Sequence, residues 1–134
     1  MYRVTFELDA FNGVADAEES IAQLGALLDC LVQIDTIYLL HHSHAPLLYA
    51  SGVRYEEEPI GADFWRDIPT VLKYGTGDCE DLACWRVAEL RVRGISARPI
   101  IIPQLRPNGK FLYHIVVAMP DGSTEDPSRR LGMK

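Results

Sequence analysis

Residues 1–8 alternate. Tyr2, Val4, Phe6 and Leu8 are apolar, while Arg3, Thr5 and Glu7 are polar. A period of two predicts a half-buried strand, which "DAFNG" then breaks. From Asp16 to His41 the period lengthens to that of a helix. Ile21, Leu24, Leu28, Leu31 and Tyr38 fall near one stripe, with Ala17, Leu27 and Cys30 beside it. Asp16, Glu18 and Glu19 suit the positive end of that helix. "HHSHAP" closes it, with His41, His42 and His44 beside the last carbonyls and Pro46 beyond. Residues 46–63 read as loop with short extended pieces. "DFWRDIPTVLKYG" predicts a short helix from Asp63, broken at Pro69, with a second turn running to Gly75. The next helix is expected from Cys79 to Arg93, stopped by Gly94. "ARPIIIP" reads as a strand, and the run Ile100, Ile101, Ile102 implies burial on both of its faces. "QLRPNGK" turns the chain, most tightly at Asn108-Gly109. "FLYHIVVAM" is the following strand, "PDGS" turns again, and "TEDP" makes a last short strand closed by Pro127. The tail "SRRLGMK" carries no signal. Helices and strands are segregated along the chain, so the expected fold class is α+β.

Composition narrows the function. The chain has 134 residues, 48% of them hydrophobic and 24% charged, which is enough for one domain with one core. A net charge of -6 and the absence of a basic run exclude nucleic acid as the main partner. No continuous apolar stretch of about 18 residues is evident, so no membrane span is expected. "MYRVTFELDA" lacks the layout of a signal peptide, which points to the cytoplasm. Three cysteines cannot all pair within one chain and read as reduced thiols.

The chemistry concentrates at "GTGDCEDLACWR", where Cys79 sits among Asp78, Glu80 and Asp81. Negative charge opposes a thiolate, yet a reactive cysteine must become one. Helix geometry offers a resolution. With Asp78 as N-cap, Cys79 is the first helical residue, inside the positive end of the helix dipole, which lowers a thiol's pKa. Glu80 and Asp81 project about 100° and 200° around the helix, so they need not point at the sulfur. Asp81 can reach back as in a capping box. Ala83, Val87 and Leu90 lie beneath Cys79 on the face expected to pack on the sheet, and Cys84 lies about 140° away.

Of the four histidines, His114 alone sits within an apolar strand and needs a hydrogen-bond partner there. Asp126, across the "PDGS" turn, can face it and hold the imidazole. Blander readings apply elsewhere. Cys30 and Cys84 read as core residues. His42 and His44 suit a helix C-terminus, with zinc or nickel as a weaker reading. A zinc site from Cys79, Cys84 and His114 has an unsuitable cysteine spacing. "EEE" at 56–58 reads as a solvated acidic run, and Asp121-Gly122 as an ordinary hairpin turn.

The order "GTGDCEDLA", "RGISARPI", "YHIVV", "DGSTEDP" resembles the transglutaminase-like superfamily of papain-like cysteine enzymes. "GDCEDLA" is especially similar to the bacterial transglutaminase-like cysteine peptidases, and "WRDIPTVLKYG", with Trp65, resembles the segment they place before the nucleophile. The likeness covers residues 63–127. It implies a single domain over 1–134, with an N-terminal strand and long helix in 1–45 and a catalytic core in 63–127. It also implies a papain/transglutaminase-like core with the nucleophile at the N-terminus of a helix packed on an antiparallel sheet. By the same resemblance, Cys79 is the nucleophile, His114 the general base and acid, and Asp126 the orienting carboxylate. The implied activity is acyl transfer through a thioester, to water or to an amine. That describes a thiol protease or amidase, or an acyltransferase, acting on a protein or peptide. One oxyanion donor would be the backbone N–H of Cys79, and a second Trp65 or Tyr74. No cofactor is implied. In relatives that cleave cell-surface adhesins, however, acids flanking the cysteine bind calcium, and Asp78 and Glu80 stand at those positions. Two features depart from the family. Ile115 and Val116 follow the histidine where an aromatic residue is frequent. Stand-alone domains this small also resemble those of phage and prophage gene clusters. That analogy implies phage structural proteins as partners, association with the virion, and an alternative role as a catalytically silent binding or assembly module.

Overall fold

The computed structural model describes residues 1–8, 17–58, 64–105 and 111–134. Among them the chain runs α1 (Ala17–His41), a 3-10 turn at Leu48–Ala50, β1 (Arg54–Tyr55), α2 (Ile68–Tyr74) and β2 (Thr76–Gly77). It continues with α3 (Cys79–Val92), β3 (Arg98–Leu105), β4 (Phe111–Ala118), β5 (Thr124–Glu125) and α4 (Pro127–Arg130). Helices thus combine with a small antiparallel sheet of order β3-β4-β5, and β1 and β2 form a separate parallel pair.

α3 is the hub. Ala83, Cys84, Val87 and Leu90 on one side meet Leu28, Leu31 and Val32 of α1 and Ile115 and Val117 of β4. Leu82 and Trp85 on the other side meet Leu48, Val53, Ile68, Val71 and Leu131. Because two cores flank it, α3 is buried nearly all round, and its carboxylates Glu80, Asp81 and Glu89 are drawn inside with it. Buried carboxylates need partners, and supplying them shapes the surrounding loops.

α1 starts and ends close to where the pattern places it. Its Glu18–His41 portion is long and apolar enough to cross a membrane by length and composition, which corrects the expectation that no such stretch exists. In the fold its buried stripe, from Ser20 and Leu24 through Leu28, Leu31 and Val32 to Asp35, is spent on α3 and the core.

Several expectations are corrected. Residues 1–8 join no sheet. Tyr2, Val4 and Phe6 are exposed, because alternation marks a face but supplies no neighbouring strand. α2 begins at Ile68 rather than Asp63, which lies outside the described residues, as does the Asn108-Gly109 turn. Pro69 opens α2 instead of breaking it: Asp67 caps the helix by accepting from the Thr70 N–H, and a first-turn proline lacks only a donor that would be idle there. Pro127 likewise opens α4 behind its N-cap Asp126, so the tail is partly helical. Ile102 is 40% exposed, so β3 is not covered on both faces; among the described residues it lies at the edge of the sheet. Cys30 is exposed, not core.

β3 carries Pro99 and Pro103 within an uninterrupted register against β4, from Arg98 opposite Ala118 to Leu105 opposite Phe111. Residues two or four apart on a strand point their N–H groups the same way. Both prolines therefore occupy positions facing away from β4, where a missing donor breaks no ladder bond.

Candidate active site

The site is built at the junction of β2 and α3. Gly75 ends α2 in the left-handed region at φ 76°. Gly77 then passes so close to α3 that a Cβ there would stand 3.1 Å from the Leu82 side chain and 3.2 Å from the Asp81 Cβ. This close passage delivers Asp78 to the N-cap position. The capping box forms as the sequence suggests: the Asp78 N–H donates to Asp81 Oδ2 at 3.1 Å and the Asp78 side chain accepts from the Asp81 N–H, while Asp78 Oδ1 also accepts from the Cys79 N–H at 2.7 Å.

Cys79 is the first residue of α3 and only 7% exposed. Its thiol donates to Glu80 Oε2 at 3.2 Å, so Glu80, which by wheel angle need not point at the sulfur, does. The thiol is held far above the ordinary cysteine range by burial first, then by the Glu80 and Asp78 charges and the bond to Glu80. The Ile115 backbone N–H, bonded to the sulfur, opposes this only in part. The expected lowering by the helix end does not prevail: the thiol stays protonated.

His114 stands next to Ile115 on β4, and its Nε2 lies 2.8 Å from Asp126 Oδ2. β5 is only two residues long and pairs Val117 with Glu125, which leaves Asp126 just beyond the ladder, facing His114. Asp126 is itself fixed as the N-cap of α4, its Oδ1 accepting from the Arg129 N–H at 3.2 Å. Since Nε2 is engaged, Nδ1 is the ring nitrogen left for proton transfer. The structure thus joins His114 to Asp126 and places the Cys79 sulfur against the amide of the next residue along β4. Among the described residues no hydrogen bond links the thiol to the imidazole; the thiol proton points to Glu80.

The oxyanion donors sort differently. The Cys79 N–H is engaged by Asp78, so it is not a free donor as expected. Trp65 packs against the core cluster containing Cys79. Tyr74 is half exposed, with the Arg66 guanidinium 4.5 Å above its ring. Tyr55 was not legible as a site residue. It lies within electrostatic reach of Asp78, Cys79 and Glu80, and burial followed by the Asp78 charge raises its hydroxyl pKa. Only the β1–β2 pairing, which sets Tyr55 opposite Gly77, brings it here.

The acids form a second layer. Ligand atoms of Asp78, Cys79 and Glu80 lie within 4.8 Å of one another, as do those of Glu58, Glu80 and Asp81. Glu58 is therefore not simply part of a solvated run: its Oε2 accepts from the Phe64 N–H at 2.7 Å, and its own N–H donates to Asp78. Asp81 Oδ1 accepts from the Arg66 N–H at 2.7 Å. Burial nonetheless pushes the Asp81 pKa up to about 8.

The other metal readings find no such gathering. His42 stacks on Tyr38, and the metal-capable groups among the described residues exclude His42 and His44. Cys84 is buried with its thiol toward the Leu28 carbonyl, apart from Cys79 and His114.

A network missed by sequence reasoning anchors β5. Glu125 receives Arg86 Nε at 2.6 Å and the Tyr49 hydroxyl at 2.8 Å, and Arg86 also reaches Glu89 at 3.2 Å. Burial would raise the Glu125 pKa, but Arg86 and Tyr49 more than offset it and hold it low. A hollow of about 460 Å³ lined by Arg91, Ile95, Ser96 and Arg98 lies at the opposite end of α3 from Cys79.

Compared with family models, curated proteins and solved structures, the chain matches none.

Proposed function

We propose that the chain is a cysteine-dependent acyl-transfer enzyme with a papain/transglutaminase-like core, a peptidase or amidase acting on a protein or peptide. The observation that carries this is the His114–Asp126 pair at 2.8 Å, set on β4 beside the amide that touches the Cys79 sulfur. Asp126 fixes the ring and leaves Nδ1 to accept a proton. In this reading the Cys79 thiol turns from Glu80 to that nitrogen, and proton transfer would yield thiolate and imidazolium. Sulfur then attacks the amide carbonyl carbon, a C–S bond forms, and the carbonyl electron pair moves to oxygen. Collapse breaks the C–N bond, and the imidazolium returns its proton to the departing amine. Water or a second amine, deprotonated by His114, releases the acyl group and restores the thiol.

The acid layer fits a hard divalent cation, since calcium takes carboxylate oxygens. Glu58, Glu80 and Asp81, whose oxygens lie within 4.8 Å of one another, would hold it, and Asp78 lies within the same distance of Glu80. A cation there supplies positive charge that offsets the carboxylates opposing the thiolate.

A second reading is a catalytically silent binding or assembly module, as in a phage particle. One observation favours it: the buried thiol is bonded to a carboxylate rather than to the imidazole.

Alkylation decides between them. Iodoacetamide labelling across pH, resolved by mass spectrometry, reads Cys79 against a free model thiol in the same solution. Faster labelling of Cys79 near neutral pH, lost in His114→Ala, supports the enzyme. Labelling of Cys79 no faster than the model thiol at every pH, unchanged by His114→Ala, overturns it.

A further inference from the structure

We propose that α1 pairs antiparallel with α1 of a second copy of this chain. The helix is 25 residues long, and its buried stripe occupies one side only. About 115° around the helix runs another row: Gln23, Leu27, Cys30, Ile34, Ile37 and His41. Leu27 is half-buried and the others are exposed, Ile34 at 51% and Ile37 at 58%. The spacing alternates four and three residues throughout. That is the seam repeat of paired helices, distinct from the broader stripe of a helix lying on a core.

The row is also palindromic in its spacing. Laid antiparallel against itself, with the two-fold axis near Val32, it sets Gln23 opposite His41, Leu27 opposite Ile37 and Cys30 opposite Ile34 of the second copy. Apolar side chains meet apolar partners at the centre, and the polar pair closes each end. Charge follows the same direction. Glu19, on the seam side at one end, comes toward His41 at the other, and opposed helix dipoles attract. A parallel pairing would stack acid on acid and histidine on histidine. A membrane surface would meet the same row, but it offers no match to a palindrome or to acid and histidine ends.

The helix is about 37 Å long. A contact strip about 10 Å wide covers about 400 Å² per copy, half of a standard interface. An interface of that size belongs with transient pairs, so the association is weak and reversible.

Sedimentation of the full chain tests this. Wild type is expected to dimerise reversibly below about 100 μM, and Ile34→Glu to weaken association at least tenfold while the melting temperature and circular dichroism stay unchanged. Orientation is read from Ile34→Cys. Its new thiol faces Cys30 of the second copy, so mild oxidation gives a covalent dimer. Wild type does not crosslink this way, because its two Cys30 residues are offset by about 6 Å along the axis. Three results overturn the proposal. One is a wild type still monomeric at about 100 μM. Another is a wild type that oxidises to a Cys30–Cys30 dimer as fast as the variant does, which means parallel helices. The third is vesicle binding by wild type, abolished by Ile34→Glu, without self-association.

Discussion

Glu80 accepts the thiol proton of Cys79 while its charge, with that of Asp78, opposes the thiolate that chemistry would need. Glu80→Gln removes the charge and keeps an acceptor. The thiol pKa should fall by at least one unit, and alkylation of Cys79 near pH 8 should rise roughly tenfold. The pH–rate profile of labelling measures it; an unchanged profile would show that burial alone sets the thiol. Asp81 titrates in the other direction from an ion-paired acid. Its pKa is raised by burial to about 8, so between the ordinary value of 3.8 and that point the folded state holds a proton the unfolded chain has released. Its contribution is therefore complete at low pH and is lost as pH climbs toward 8. Urea titrations should show Asp81→Asn flattening the decline of stability over that window, by up to about 1.4 kcal/mol per pH unit. The place of Cys79 at the start of α3 and the His114–Asp126 contact were legible because each residue type needs an explanation where it stands: a thiol at a cap, an imidazole in an apolar strand, a carboxylate past a turn. The direction of Glu80 was not. A wheel angle locates Cβ, whereas three further torsions let the glutamate curl back to its neighbour's sulfur.

α3 and the β3–β4 hairpin were readable as elements, because burial imposes period and glycine imposes ends. The two prolines at helix starts were misread for one reason. Proline disrupts a helix interior but suits its first turn, and only the capping aspartates, Asp67 and Asp126, tell the two apart. β5 is too short to hold itself, and the Arg86–Glu125 contact ties it to α3. Arg86→Met should cost about 2 kcal/mol by leaving Glu125 and Glu89 without their shared cation. It should also blunt the His114-dependent labelling of Cys79, because Asp126 follows Glu125 directly. Denaturation and labelling of one sample report both effects; an unaltered labelling profile would mean that α4 alone positions Asp126.

On the scale of the molecule, the mixed helix and antiparallel-sheet class was visible from element order, while the convergence of remote loops on one helix tip was not. Tyr55 and Glu58 reach the site only because β1 pairs with β2, and a pairing of two residues leaves no periodic trace. The β3 rim has a consequence for solubility. With Pro99 and Pro103 withholding outward donors, a passing extended chain finds too few hydrogen bonds to dock, although the strand is long and rich in isoleucine. Valine at both positions would restore those donors without touching the ladder to β4. The double variant should fold yet acquire thioflavin-positive fibrils on incubation, with wild type remaining clear; two equally clear solutions would mean that something other than the pyrrolidine rings keeps this rim from seeding cross-β growth.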